Sequence, residues 1–340
     1  MPILATAIET DFHPVLHRSI SGDEVTDCGE IVEHSVGTST PSSEVHRKID
    51  VAMSALANNF LASLSVSNRS VSSASECILS EVVAQWDALS HREKDAAYKI
   101  SADGGCDYLE FNRNKISSYF FTIIDGKELD RRIVSVALSY LKSFLTRCPS
   151  RTPSHQQLAM LTSLYVAIKI HSNIYENGRP NIFISEVVDW SGNVFTAREI
   201  SKMERSMLNA LDYYMNPPIA EQFLDIIAPL IDDDLITPQV KQHIITISNW
   251  LCEISCTDSY FTGVKPSSVA YAAILVAMDS SHAGTSVKCW FESLDLKHDA
   301  YITLQCYERM YELYCLLDLP QHDDSHRCLS PTEVGLPSEV

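Results

Sequence analysis

The chain has 340 residues, 45% of them hydrophobic, which is enough for two domains with cores of their own and too apolar for a disordered polymer. Its 26 basic against 44 acidic residues leave a net charge of −18, a field that repels phosphate backbones and anionic lipid, so unassisted binding to nucleic acid or a membrane surface is not expected. Ten scattered cysteines without a C-x-x-C pattern read as small core residues of a reducing compartment, and neither a membrane span, a secretory signal nor a zinc site is expected.

Residues 1 to about 48, rich in Ser, Thr, Glu and Asp, read as a flexible leader. Residues 50–64 have the spacing of a short helix, and the Ser-rich stretch 65–75 reads as a linker. Residues 76–99 are helical through Ile78, Val82, Trp86 and Leu89 and are expected to pack against the helices after them. From Tyr108 the pattern becomes regular. An amphipathic helix over 112–124 (Ile116, Tyr119, Phe120, Ile123) is broken by Asp125-Gly126, and another spans 130–146 (Ile133, Val136, Tyr140, Leu141, Phe144). After a turn holding Pro149 and Pro153, residues 155–170 are apolar almost all round. A loop over 172–181 leads to a short helix, 184–190, closed by Gly192. Thr196 followed by Glu199 is a capping box, and the helix it starts is expected to end before Asn216-Pro217-Pro218. Five helices of this order, the third apolar on every side, predict an all-α bundle wrapped around a central helix.

Two charges stand out against this pattern. Lys169 is the only charge of the central helix, and Glu204 projects beside the apolar face formed by Ile200, Met203 and Met207. A lone ammonium on apolar surface would lose its proton or cost several kcal/mol, so Lys169 and Glu204 are expected to pair across adjacent helices.

A second set of five helices comes next, over 220–230, 238–255, 266–279, 286–294 and 299–317. A shift of 110 residues lays Leu164-Tyr165-Val166-Ala167-Ile168 on Ile274-Leu275-Val276-Ala277-Met278, which predicts tandem five-helix bundles. That register places Asp279 opposite Lys169, so the two repeats should not share a binding role. The tail from Gln321 is polar.

The segments RRIVSVALSYLKSFL, LAMLTSLYVAIKIHS, ISEVV and FTAREISKMERSMLNALDYYMNPP resemble helices two to five of the N-terminal cyclin box, closest in flavour to diatom-type cyclins. The resemblance is dense over residues 108–218 and loose over 219–317. It is missing before residue 76; with the leader and tail read from composition, the expected organisation is a flexible leader with a possible short helix over 1–75, an N-terminal cyclin box with its preceding helix over 76–218, a C-terminal cyclin fold over 219–318, and a polar tail over 319–340.

The resemblance implies a partner, a cyclin-dependent serine/threonine kinase, and a function, its activation in cell-cycle control. Lys169 and Glu204 match the family's kinase contacts, and Val166, Ile170, Leu208, Tyr213 and Met215 would line the groove that receives the kinase's regulatory helix. On residue pattern alone Val166, Ile170, Leu208 and Tyr213 read as core. Asn112, Arg113, Ile116 and Tyr119 occupy the family's substrate-docking patch, with Lys115 in an apolar slot that should disfavour docking. Arg113 normally pairs with an Asp that is Lys142 here, so that bridge should be lost or rewired. The acids that usually come after the third-helix Lys are His171 and Ser172, which favours a second reading as a non-activating scaffold. A cyclin-repeat transcription factor is a third, opposed by the net charge. Of the proline-directed dipeptides, Ser330-Pro331 in the tail is the candidate phosphorylation site. The chain carries no Gly-rich phosphate loop, no G-x-S-x-G and no arguable catalytic pair. No cofactor, metal or small-molecule substrate is implied, and the expected location is nucleus or cytoplasm.

Overall fold

A computed structural model describes residues 73–316, apart from 100–106, 150–151, 173–181, 232–235, 282–284, 293 and 295. The leader, the helix expected over 50–64, nearly all of the linker, most of the 172–181 loop and the tail with Ser330 lie outside the described residues. Every regular element among the described residues is helical. After α1 (Ser73–Lys99) come α2 (Asp107–Gly126), α3 (Arg132–Arg147), α4 (Pro153–His171), α5 (Ile184–Trp190) and α6 (Ala197–Ala210). The second set is α7 (Ala220–Ile227), α8 (Pro238–Ser255), α9 (Pro266–Ser280), α10 (Thr285–Glu292) and α11 (Ala300–Leu316). The described residues thus form two tandem five-helix bundles preceded by one helix.

Each bundle is built around its third helix. In α4 the whole run from Leu161 to Ile168 is buried, because α2, α3 and α6 pack around it. The buried Thr162 and Ser163 hydroxyls return to the helix itself, Thr162 donating to the Leu158 carbonyl and Ser163 to that of Met160, so neither leaves a polar group unsatisfied. The counterpart α9 is surrounded by α7, α8 and α11. Both central helices open with a proline, whose fixed φ and missing N–H suit a first helical position. Separate apolar cores result, one around Phe120, Phe144, Leu164 and Met207, the other around Phe223, Leu251, Ile274 and Phe291.

The helix α1 packs away from its sequence neighbours. Trp86 and Leu89 enter the second core; the Trp86 indole donates to the Lys297 carbonyl at 2.9 Å and meets Phe223 edge-on at 4.8 Å. The Glu93 carboxylate accepts from the Ser267 backbone N–H at 2.8 Å and from its hydroxyl at 2.7 Å, so an anion sits on the N-terminus of α9. An apolar stripe fixes which face of α1 is buried, but not which core receives it.

The two sets meet through α2 and α3 on one side and α7, α8 and the 3-10 turn Ser259–Gly263 on the other. Arg132 grips Asp225 with two nitrogens, Arg131 reaches Glu253 at 2.7 Å, and the Ser135 hydroxyl donates to buried Glu221 at 2.6 Å. The Arg113–Lys142 conflict is resolved here. Arg113 is buried and points to the Ser255 carbonyl at the C-terminus of α8, while the Lys142 ammonium donates to the Thr262 carbonyl at 2.7 Å. Arg113 and Lys142 thus each face the electron-rich end of a helix or turn in the second set. The expected internal bridge is replaced by ties between the sets.

Candidate functional site

The site is built where α4 ends beside the middle of α6. The capping box at Thr196 fixes the start of α6: the Thr196 hydroxyl accepts from the Glu199 N–H, and the Glu199 carboxylate accepts from the Thr196 N–H at 2.8 Å. With the register set, Ile200, Met203 and Met207 enter the core and Glu204 comes to the edge of that face. The C-terminal turn of α4 leaves the core just past Ile168.

There the Lys169 ammonium meets the Glu204 carboxylate at 2.8 Å, with the Lys169 side chain 52% exposed and that of Glu204 16%. The ammonium also lies 5.5 Å from the centre of the Tyr165 ring. Its hydrogen bond to Glu204 holds the Lys169 pKa above the usual lysine value. The pair expected against apolar surface therefore exists, but at an open edge and not in the interior. An ammonium has three donors and a carboxylate two acceptor oxygens, more than the pair itself consumes, so both groups can serve a further partner.

The neighbouring residues divide by depth. Ile170 is 36% exposed and Tyr213 is 65% exposed. Leu208 and Met215 are half-buried and lean on the first core. Val166 is 1% exposed and lies within that core beneath the pair. Lys169, Glu204, Ile170, Leu208, Tyr213 and Met215 thus all reach the exterior of the first bundle, while Val166 is buried in its core.

The segment carrying Tyr213 differs from the sequence expectation. The helix α6 stops at Ala210, six residues short of Asn216, because Asp212 and Tyr213 take left-handed φ values of +51° and +56°. Such a conformation costs an L-residue with a Cβ about 1–2 kcal/mol. Tyr214 therefore lies beyond the helix. Asp tolerates the left-handed region, but nothing in the local sequence marks Tyr213 for it. The turn is held from outside. The Tyr140 hydroxyl donates to the Met215 carbonyl, the His171 Nε2 lies 2.9 Å from both, and Arg147 reaches the Ala210 carbonyl and Asp212. Tyr140 reads in the sequence as one more apolar-face residue; its hydroxyl was the available signal.

The residues of the docking patch lie on α2, elsewhere on the first bundle. Ile116 is core, Tyr119 is half-buried with its hydroxyl donating to the Trp190 carbonyl at 3.0 Å, Asn112 turns back to the Tyr108 carbonyl, and Lys115 is exposed. Among the described residues no group of His, Cys, Asp and Glu is placed to hold a metal ion, and no helix is long and apolar enough to cross a membrane.

Residues 87–216, from within α1 to the end of this turn, match the family model of the cyclin N-terminal domain. That stretch is a cyclin N-terminal domain. Its cyclin box holds all the residues of the candidate surface. The chain is 24% identical to Cyclin-C1-1 of Arabidopsis thaliana over 212 residues, covering 61% of this chain and 79% of that protein. It is equally 24% identical to the G2/mitotic-specific cyclin-A of Patella vulgata over 235 residues, covering 68% of this chain but 50% of that protein. Among solved structures, the X-ray structure of a viral cyclin from herpesvirus saimiri superposes with a TM-score of 0.50 at 18% identity, over 67% of this chain and 95% of that one. That likeness concerns the fold.

Proposed function

We propose that this chain is a cyclin, a regulatory subunit that binds and activates a cyclin-dependent serine/threonine kinase in cell-cycle control, in the nucleus, the cytoplasm or both as its kinase moves. The observation that carries the reading is the half-exposed Lys169–Glu204 pair flanked by Ile170, Leu208 and Tyr213. A charged pair with unused hydrogen-bonding capacity beside exposed aliphatic and aromatic surface suits a helix laid into a groove, with apolar burial supplying affinity and the charges fixing register. The kinase's regulatory helix is the proposed occupant. Its docking would rotate it inward, where its Glu can pair with the phosphate-positioning Lys of the kinase.

A second reading, a cyclin-box scaffold that holds a kinase without activating it, is favoured by His171. That residue stands where the family carries an acid, and it is turned inward to Tyr140 and Met215. Mixing the full chain with a panel of cyclin-dependent kinases separates the readings. Co-elution with histone phosphorylation is the expected result, co-elution without it selects the scaffold, and no co-elution removes both. In the same assay Lys169→Ala with Glu204→Ala should abolish co-elution while leaving the thermal unfolding of the chain in place.

A further inference from the structure

We infer that His171 is a positioning residue: with Tyr140 it latches the Met215 carbonyl and so holds the left-handed turn that presents Tyr213 to a partner. The inference rests on the proposed function for the identity of the partner, and on geometry for the latch itself.

Three groups converge at the latch. The Tyr140 hydroxyl, from α3, donates to the Met215 carbonyl. The Nε2 of His171, the last residue of α4, lies 2.9 Å from that same carbonyl and 2.9 Å from the Tyr140 oxygen. A carbonyl oxygen can only accept, so the Nε2 atom must carry a hydrogen; the opposite tautomer would set two lone pairs face to face. Two donors from two helices thus close on one acceptor of the turn. Its other end is held by Arg147, which donates to the Ala210 carbonyl and pairs with Asp212 at 3.1 Å.

Between these anchors Asp212 and Tyr213 occupy the left-handed region, which an unrestrained Tyr rarely populates. Within the turn the Tyr213 N–H reaches the Leu208 carbonyl at 3.0 Å and the Tyr214 N–H that of Leu211 at 2.9 Å. A conformation that local preference disfavours persists only where its surroundings impose it. The result is a large aromatic side chain held outward, 65% exposed, just past the end of the helix that carries Glu204. A side chain fixed before binding has less freedom to lose on contact, which is how an anchor gains affinity without new contacts. The occupant this suits is an apolar helix face that receives the ring.

The test uses the full chain with His171→Phe, which keeps a ring and removes the donor, and His171→Gln, which restores an N–H. Hydrogen exchange of the free chain is read at the Tyr213 and Tyr214 amides, and the Kd for the kinase is measured alongside. His171→Phe should speed exchange at both amides and weaken binding, each by about tenfold, the scale of one lost hydrogen bond. His171→Gln should recover most of both. In a double-mutant cycle, His171→Phe should cost nothing further once Tyr213→Ala is present, because it acts through that residue. Unchanged exchange in His171→Phe, or full additivity with Tyr213→Ala, overturns the latch. If the unaltered chain binds no kinase, the proposed function falls, and the exchange measurement alone decides the latch.

Discussion

The Lys142 ammonium, on α3 of the first bundle, lies 2.7 Å from the Thr262 carbonyl in the second. A family Asp at this position would repel that carbonyl, so the charge change and the tie between bundles go together. Lys142→Ala should cost about 1.5–3 kcal/mol, the range for a hydrogen bond to a charged group. Lys142→Asp should cost more, because it sets an anion against an acceptor. Urea unfolding at neutral pH reads both, and equal stability of the two variants would remove the tie.

The Lys169 end of the Lys169–Glu204 pair is half open to water, and pairs that water reaches in this way contribute about 0–1 kcal/mol. Exchanging the charges, Lys169→Glu with Glu204→Lys, keeps an internal pair but reverses what is shown to a partner. Stability should stay within about 0.5 kcal/mol of the parent. Kinase binding, measured by calorimetry, should be lost. Retained binding would leave the pair a packing device only.

At the joint between bundles, burial lifts the Glu253 carboxyl to about 7; Arg131 at 2.7 Å opposes this, while Glu221, Asp125 and Asp130 add to it. Its ordinary value is 4.5, so between the two the folded chain holds a proton that the unfolded chain releases. The stability this group contributes is complete below 4.5 and is lost as pH rises through 7. The slope from one such proton approaches about 1.4 kcal/mol per pH unit. Glu253→Gln should flatten this part of the profile and stabilise the chain at pH 8, as denaturant titrations across the range would show. Buried Glu221, also raised, leaves a residual slope in that variant.

Trp86 joins α1 to the second core through both its ring and its indole N–H. Trp86→Ala should cost about 3–5 kcal/mol, as truncation of a buried aromatic does. Trp86→Phe, which keeps a ring but leaves the Lys297 carbonyl without this donor, should cost about 1–3 kcal/mol. Melting curves would rank the two.

Much of this was legible in the residues. The all-round apolar run ending at Ile168 marks a central helix because only a helix surrounded by others can bury every side. The Thr196–Glu199 box marks the start of α6 because two reciprocal hydrogen bonds need that spacing, and the lone Lys169 called for a partner that Glu204 supplies. What stayed hidden depends on contacts distant in sequence. Trp86 shows a buried face but not which core takes it, and Tyr213 carries no sign of a left-handed φ imposed from α3 and α4. The depth of Val166 was equally hidden, since a groove wall and a core share one apolar pattern.

The register that aligns the two central helices puts Asp279 where the first bundle has Lys169, and Asp279 accepts from Lys288 at 2.8 Å and from the Tyr307 hydroxyl at 2.7 Å within its own bundle. The proposed port is therefore present once in the repeated scaffold. The second copy spends its acid on a lysine and a tyrosine of its own bundle, where the first copy leaves a lysine 52% exposed, and a titration of chain against partner should saturate at one to one.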